Sequence, residues 1–133
     1  MIKLIIFDLD GVLVDAKEIH YNALNTALKN IDKKYVIGRD EHLSIYDGNP
    51  TRTKLKLLSQ NKGLPYELHD KVWEDKQNLT IQMINDLEED KRLIKVLEQL
   101  EQDGYVLCCA TNSVRHSATC LLYTSDAADD IGR

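Results

Sequence analysis

Apolar and polar positions follow two different periods along this chain, and the change between them marks its elements. Residues 2–7, IKLIIF, form a short isoleucine-rich run that stops at the polar DLDG. A run of that length bounded by a turn signal predicts a buried strand. From Asp15 the period becomes helical, with Ile19, Ala23, Leu24, Ala27 and Leu28 on one face before the polar break KNIDKK. Gly48 and Pro50 punctuate a loop over residues 46–54, YDGNPTRTK. Leu55, Leu57 and Leu58 then begin a helix that ends near Gly63 and Pro65, and residues 66–87 carry Leu68, Val72, Leu79, Met83 and Leu87 at helical spacing. Asp90 is placed to cap a further helix with Leu93, Ile94, Leu97 and Leu100 inward and QDG closing it. Residues 105–111, YVLCCAT, predict a second buried strand, and NSVRHSAT opens another helix or turn. No internal repeat or low-complexity linker interrupts this order.

Strand, several helices, strand and helix start predict an α/β fold. Two similar strands that each end in polar residues fit neighbours in a parallel sheet. Their C-terminal ends would then lie side by side, where open α/β sheets bind ligands.

Composition narrows the function classes only slightly. The 133 residues suit one modest domain, or one domain with an insertion. A formal net charge of −5 argues against nucleic acid or an anionic membrane as the main partner. No apolar run approaches the roughly 20 residues needed to span a bilayer. MIKLIIF is too short for a secretory signal core and lacks a cleavage site, so a cytoplasmic location is expected. Cys108, Cys109 and Cys120 form neither a disulfide framework nor a metal knuckle, and the first two read as small buried hydrophobes.

The chemistry lies in the aspartates. Asp8 and Asp10 flank Leu9, so in an extended chain both side chains point the same way, and Gly11 permits a tight turn directly after them. Two like charges this close need a counter-charge, and a hard divalent cation with oxygen ligands supplies one. Mg²⁺ held by one or two carboxylates keeps open positions that recruit phosphate. A D-x-D on its own also fits a helix cap or a solvated loop.

The longer string FDLDGVLVD resembles the first motif of the haloacid dehalogenase superfamily, a hydrophobic strand followed by D-x-D-G-x-x-x-[DT]. YVLCCATN resembles its second motif, a hydrophobic strand ending in Ser or Thr, and the helical stretch between resembles the all-α cap of subfamily I. DGVLVD…H…AL is similar to the β-phosphoglucomutase and phosphoglycolate-phosphatase branch. The resemblance implies an incomplete Rossmann-like core of parallel strands (residues 1–15 and 89–119) with an inserted α-helical cap (16–88). It implies Asp8 as a nucleophile that forms an aspartyl-phosphate, and Asp10 as the group that protonates the leaving oxygen and then deprotonates water. Asp8 and the backbone carbonyl of Asp10 would hold Mg²⁺, and Thr111 with Asn112 would hold the phosphoryl oxygens. Dehalogenases proper lack the second aspartate, so Asp10 points to phosphate chemistry. In the cap, His20 matches a histidine of mutase-like members, and Arg52 or Lys54 could meet a substrate anion. A helix-surface histidine and solvated helix-start charges fit those three positions as well. INDLEEDKRL, before the second strand, departs from the family's usual Pro-Gly turn.

Two further parts of the family pattern, a lysine beyond the second motif and a later acidic pair, have no counterpart in the 22 residues after Thr111. SDAADD comes too soon and follows no hydrophobic strand. CLLYTSDAAD (120–129) resembles the translation of a transposase adapter used for sequencing libraries, so residues 120–133 are expected to be a non-native read-through tail. The expected function is a Mg²⁺-dependent phosphatase of small phosphorylated metabolites, in a truncated chain inactive by itself. A phosphomutase of the β-phosphoglucomutase type and a non-catalytic phosphate-binding module are the alternatives.

Overall fold

A computed structural model of the chain describes Met1, residues 3–111, Arg115 and residues 117–119. Asn112 and the expected tail at 120–133 lie outside the described residues. The order is β1 (Leu4–Asp8), α1 (Lys17–Ile31), a 3₁₀ turn (Lys33–Tyr35), the single turn α2 (Arg39–Glu41) running into a π-type turn (His42–Tyr46), and α3 (Thr51–Lys62). A second 3₁₀ turn (Tyr66–Leu68), α4 (His69–Asn85), α5 (Lys91–Gln102) and β2 (Val106–Ala110) complete it. No helix among the described residues is long and apolar enough to cross a membrane.

The chain divides into two compact units. The first comprises Met1–Ile19 with the described residues from Ile81 onward, and the second is His20–Thr80. In the first, β1 and β2 pair in parallel as the sequence predicts, from Leu4 opposite Val106 to Asp8 opposite Ala110. Ile5 and Phe7 on β1 and Leu107 and Cys109 on β2 share one sheet face. That face packs on Leu9, Leu13, Ala16, Ile84, Leu97 and Ala118. α5 presents Leu93, Leu97 and Leu100 to the same cluster, and the Asp90 carboxylate caps it by accepting from the N–H groups of Arg92 and Leu93, both at 3.1 Å.

The strands are not buried on both faces, which corrects the expectation for them. Leu4, Ile6 and Val106 lie on the opposite face and are 50%, 62% and 58% exposed. Alternation along a strand sends every second residue to that side, and no described element layers over it.

The second unit closes on its own core of Leu24, Leu28, Tyr35, Ile37, Tyr46, Leu55, Leu58, Leu64 and Val72. Gly63 ends α3 at φ 71°, a left-handed value that a residue with a Cβ adopts only with strain. The other end of α3 differs from the sequence reading. Thr51 to Lys54 are helical and not loop, because Pro50 closes the loop and its carbonyl accepts the Lys54 N–H at 3.0 Å.

Candidate functional site

The C-terminal ends of β1 and β2 bring the motif residues of the first unit together. Asp8 is the last residue of β1 and pairs with Ala110, the last of β2, so Asp8 and Thr111 emerge at the same sheet edge. The reason is local. Leu9 is fully buried, and its carbonyl accepts from the N–H groups of Val12, Leu13 and Val14 at 3.3, 3.0 and 3.1 Å. Gly11, at φ 80°, donates to the Val14 carbonyl at 2.8 Å. This turn pins the chain by Leu9 and Leu13 and leaves the aspartates at its rim. Asp8 is exposed, and its Oδ1 accepts the Leu9 N–H at 2.8 Å. Asp10 has left the strand: it is half-buried and bridges Val14.

Electrostatics link the two carboxylates to β2. The Cys109 thiol is held above its ordinary pKa by burial first, then by the negative charges of Asp8 and Asp10. Carboxylate and carbonyl oxygens are the hard donors that Mg²⁺ prefers, so Asp8 and the Asp10 carbonyl suit that ion in kind. They do not make a full set, since no group of three or more His, Cys, Asp or Glu able to hold a metal occurs among the described residues. Asp15, Glu88 and Asp90 line an open cleft of about 190 Å³ with Leu13, Val14 and Leu87.

The other three candidates belong to the second unit. Arg52 is engaged at home: Nη1 donates to Asp70 Oδ1 at 2.6 Å, and its guanidinium lies 5.0 Å from the Trp73 ring centre. Lys54 is half-buried, and burial lowers its pKa against the opposing pull of Asp47. Both sit in the first turn of α3, which has no side-chain cap. His20 lies on α1, with its Nδ1 3.2 Å from the ammonium of Lys76 on α4.

Lys76 is the residue that sequence reasoning passed over. Its signal was the helical face Val72, Leu79, Met83 and Leu87, in which position 76 falls inside the apolar stripe and carries a lysine. A Ser–His pair also invites a catalytic reading. Ser59 Oγ lies 2.7 Å from His69 Nε2, but it donates its proton to the Leu64 carbonyl at 2.6 Å. The imidazole is therefore the donor to Ser59, and the pair fastens the turn after α3 without activating a nucleophile.

Residues 5–129 match the family model described as haloacid dehalogenase-like hydrolase. Comparison with curated protein sequences finds no match. Among solved structures the chain is similar to a HAD hydrolase of family IA, variant 3, from Entamoeba histolytica, at 20% identity and a TM-score of 0.78, covering 99% of this chain and 58% of that one. It is similar to CbbY from Rhodobacter sphaeroides in complex with xylulose-(1,5)-bisphosphate, at 17% identity and a TM-score of 0.77, covering 93% and 57%. It is also similar to a HAD family hydrolase from Deinococcus radiodurans with bound phosphate and sodium, at 20% identity and a TM-score of 0.67, covering 98% and 55%. At these identities the likeness is one of fold, and the chain spans between 55% and 58% of those three structures' lengths.

Proposed function

The chain belongs to the haloacid dehalogenase-like hydrolases, and from that membership we propose that it carries the nucleophilic part of a Mg²⁺-dependent phosphoric monoester hydrolase acting on small phosphorylated metabolites. The observation that carries this reading is the pairing of Asp8 with Ala110, which supports Asp8 and Thr111 acting on one group at one sheet edge. A carboxylate oxygen of Asp8 attacks phosphorus, and the bond to the leaving alkoxide breaks as Asp10 gives it a proton. Asp10 then takes a proton from water, whose oxygen attacks the aspartyl-phosphate and frees Asp8 and inorganic phosphate. Thr111 and Asn112 hydrogen-bond the phosphoryl oxygens. The Asp8 carboxylate and the Asp10 carbonyl would hold Mg²⁺, which would supply the positive charge that lets a carboxylate approach an anionic ester. Residues 1–15 and 89–119 form the core and 16–88 the cap, a division that the separate compactness of His20–Thr80 supports for the cap's body, while residues 16–19 and 81–88 belong to the first compact unit. From the cap, His20, Arg52 and Lys54 contact substrate.

The test is phosphate release by the full-length protein from sugar phosphates and phosphoglycolate, with Mg²⁺ or with chelator. Metal-dependent release that Asp8→Asn abolishes is the expected result. Isomerisation of a sugar monophosphate without net release would replace hydrolase by mutase. Binding of phosphate with neither reaction would leave a non-catalytic module.

A further inference from the structure

Arg52 does not stand in its unit as a bare positive charge. It lies in the first turn of α3, and its Nη1 donates to Oδ1 of Asp70, in the first turn of α4, at 2.6 Å. The guanidinium lies 5.0 Å from the Trp73 ring centre, within the range of a cation–π contact, so ring and carboxylate together hold its plane. The side chains of Arg52 and Asp70 are 53% and 85% exposed, which leaves both open to a ligand. A guanidinium has donors only and an ionised carboxylate acceptors only. Side by side they form a neutral pair that offers both. A hydroxyl group fits such a pair, because it accepts from the guanidinium and donates to the carboxylate. A phosphate dianion or a carboxylate only accepts, and its charge is set against that of the aspartate. Lys54, two residues on, does not restore the missing positive charge: burial lowers its pKa, and the charge of Asp47 faces it.

We propose that Asp70 is a specificity residue: paired with Arg52 it reads a hydroxyl group, so the site takes monophosphates whose far end is uncharged and disfavours a second anionic group. The substrate part of this rests on the proposed function, in which Arg52 contacts substrate; the cancellation of charge at Arg52 does not. Sugar monophosphates are then preferred to sugar bisphosphates, and to phosphoglycolate, whose far end is a carboxylate. Arg52, Lys54, Asp70 and Trp73 all belong to the second compact unit, so the pair forms within it. The discrimination is modest in size, because exposed ion pairs are weakly coupled. Lys71 and Asp75, 3.0 Å apart on α4, form a comparable ion pair that the proposed function does not use.

The experiment has two measurements. The first is kcat/KM of the full-length protein for a sugar monophosphate, the same sugar carrying two phosphates, and phosphoglycolate. Wild type is expected to favour the monophosphate. Asp70→Asn should shift that preference toward the doubly anionic esters by about 2- to 5-fold, the size of one exposed ion pair. Asp75→Asn, which removes an equal charge beside Lys71, should leave it unchanged. A wild-type preference for either doubly anionic ester overturns the proposal, as does a preference that Asp70→Asn does not move. The second measurement needs no turnover: inorganic phosphate is titrated into the isotope-labelled 133-residue chain and read at the Arg52 Nε–H signal, which Arg52→Lys assigns by its loss. Asp70→Asn should lower the half-saturating phosphate by about 2- to 5-fold, and an equal or higher value overturns the proposal. If no ester releases phosphate, the proposed function fails while the titration still decides whether Asp70 cancels the charge of Arg52. If esters are hydrolysed without preference for the monophosphate, the proposal fails and the hydrolase stands.

Discussion

Asp8 and Asp10 stand two positions apart yet meet different surroundings, and their variants should part accordingly. Asp8 is exposed at the end of β1, whereas Asp10 is half-buried in the following turn. In the full-length protein, Asp8→Asn is expected to abolish turnover, because an amide neither attacks phosphorus efficiently nor holds a cation well. Asp10→Asn is expected to retain phosphoenzyme formation with good leaving groups, read by mass spectrometry of the trapped protein. Phosphatase activity surviving in Asp8→Asn would falsify the mechanism. His69 gives a pH prediction for the chain itself. Burial, then the nearby Arg52, keep its pKa below 6.5, with Lys56 adding to the effect and Asp70 opposing it. The fold therefore favours the neutral ring, so this contribution to stability is present above pH 6.5 and is lost as pH falls through the lower folded value. His69→Gln should narrow the drop in Tm between pH 7.5 and pH 5, and an unchanged drop would remove His69 as a cause. The aspartates and Thr111 were legible in the sequence because each is fixed by the few residues around it. Lys76 was not, since its partner His20 is 56 residues away and only tertiary packing joins them.

Single elements show where local signals suffice. α5 was readable at its cap and along most of its inner face: Asp90 caps it, and Leu93, Leu97 and Leu100 join the core cluster, whereas Ile94, also expected inward, does not. Asp90→Ala is expected to cost about 1 kcal/mol, since two backbone N–H groups lose their acceptor. Leu97→Ala should cost about 2–5 kcal/mol, because the side chain is fully buried and its removal leaves a cavity. Chemical denaturation of the 133-residue chain measures both, and equal losses would mean the cluster around Leu97 is not packed as described. The start of α3 was less legible, because Thr51, Arg52 and Thr53 carry no apolar signal and the helix is fixed there by Pro50 behind them. The strands were recognised as strands but not as one-sided. An apolar run tells of a preference for burial, while coverage depends on which elements pack against the sheet.

At the scale of the molecule, each unit has its own compact core, and the sheet of the first carries an exposed apolar face. Leu4, Ile6 and Val106 invite association with other chains, and both sheet edges lack a further strand among the described residues. Ile6→Thr with Val106→Thr should lower dye binding and light scattering of the isolated chain without disturbing its helical circular dichroism. Equal scattering would place the sticky surface elsewhere. Robust metal-dependent hydrolysis of p-nitrophenyl phosphate by the 133-residue chain alone would contradict the expectation that further residues complete the catalytic set. The parallel pairing of Asp8 with Ala110 also has a consequence in time. About 100 residues separate the partners, and at a synthesis rate of about 5–20 residues per second the ribosome takes about 5–20 s to make the second after the first. Throughout that interval β1 has no β2 to lie against, while His20–Thr80, contiguous in sequence, emerges whole and is free to fold first. The apolar strand that carries Asp8 is thus the part of the newborn chain that waits longest for its neighbour, and the part most in need of a chaperone.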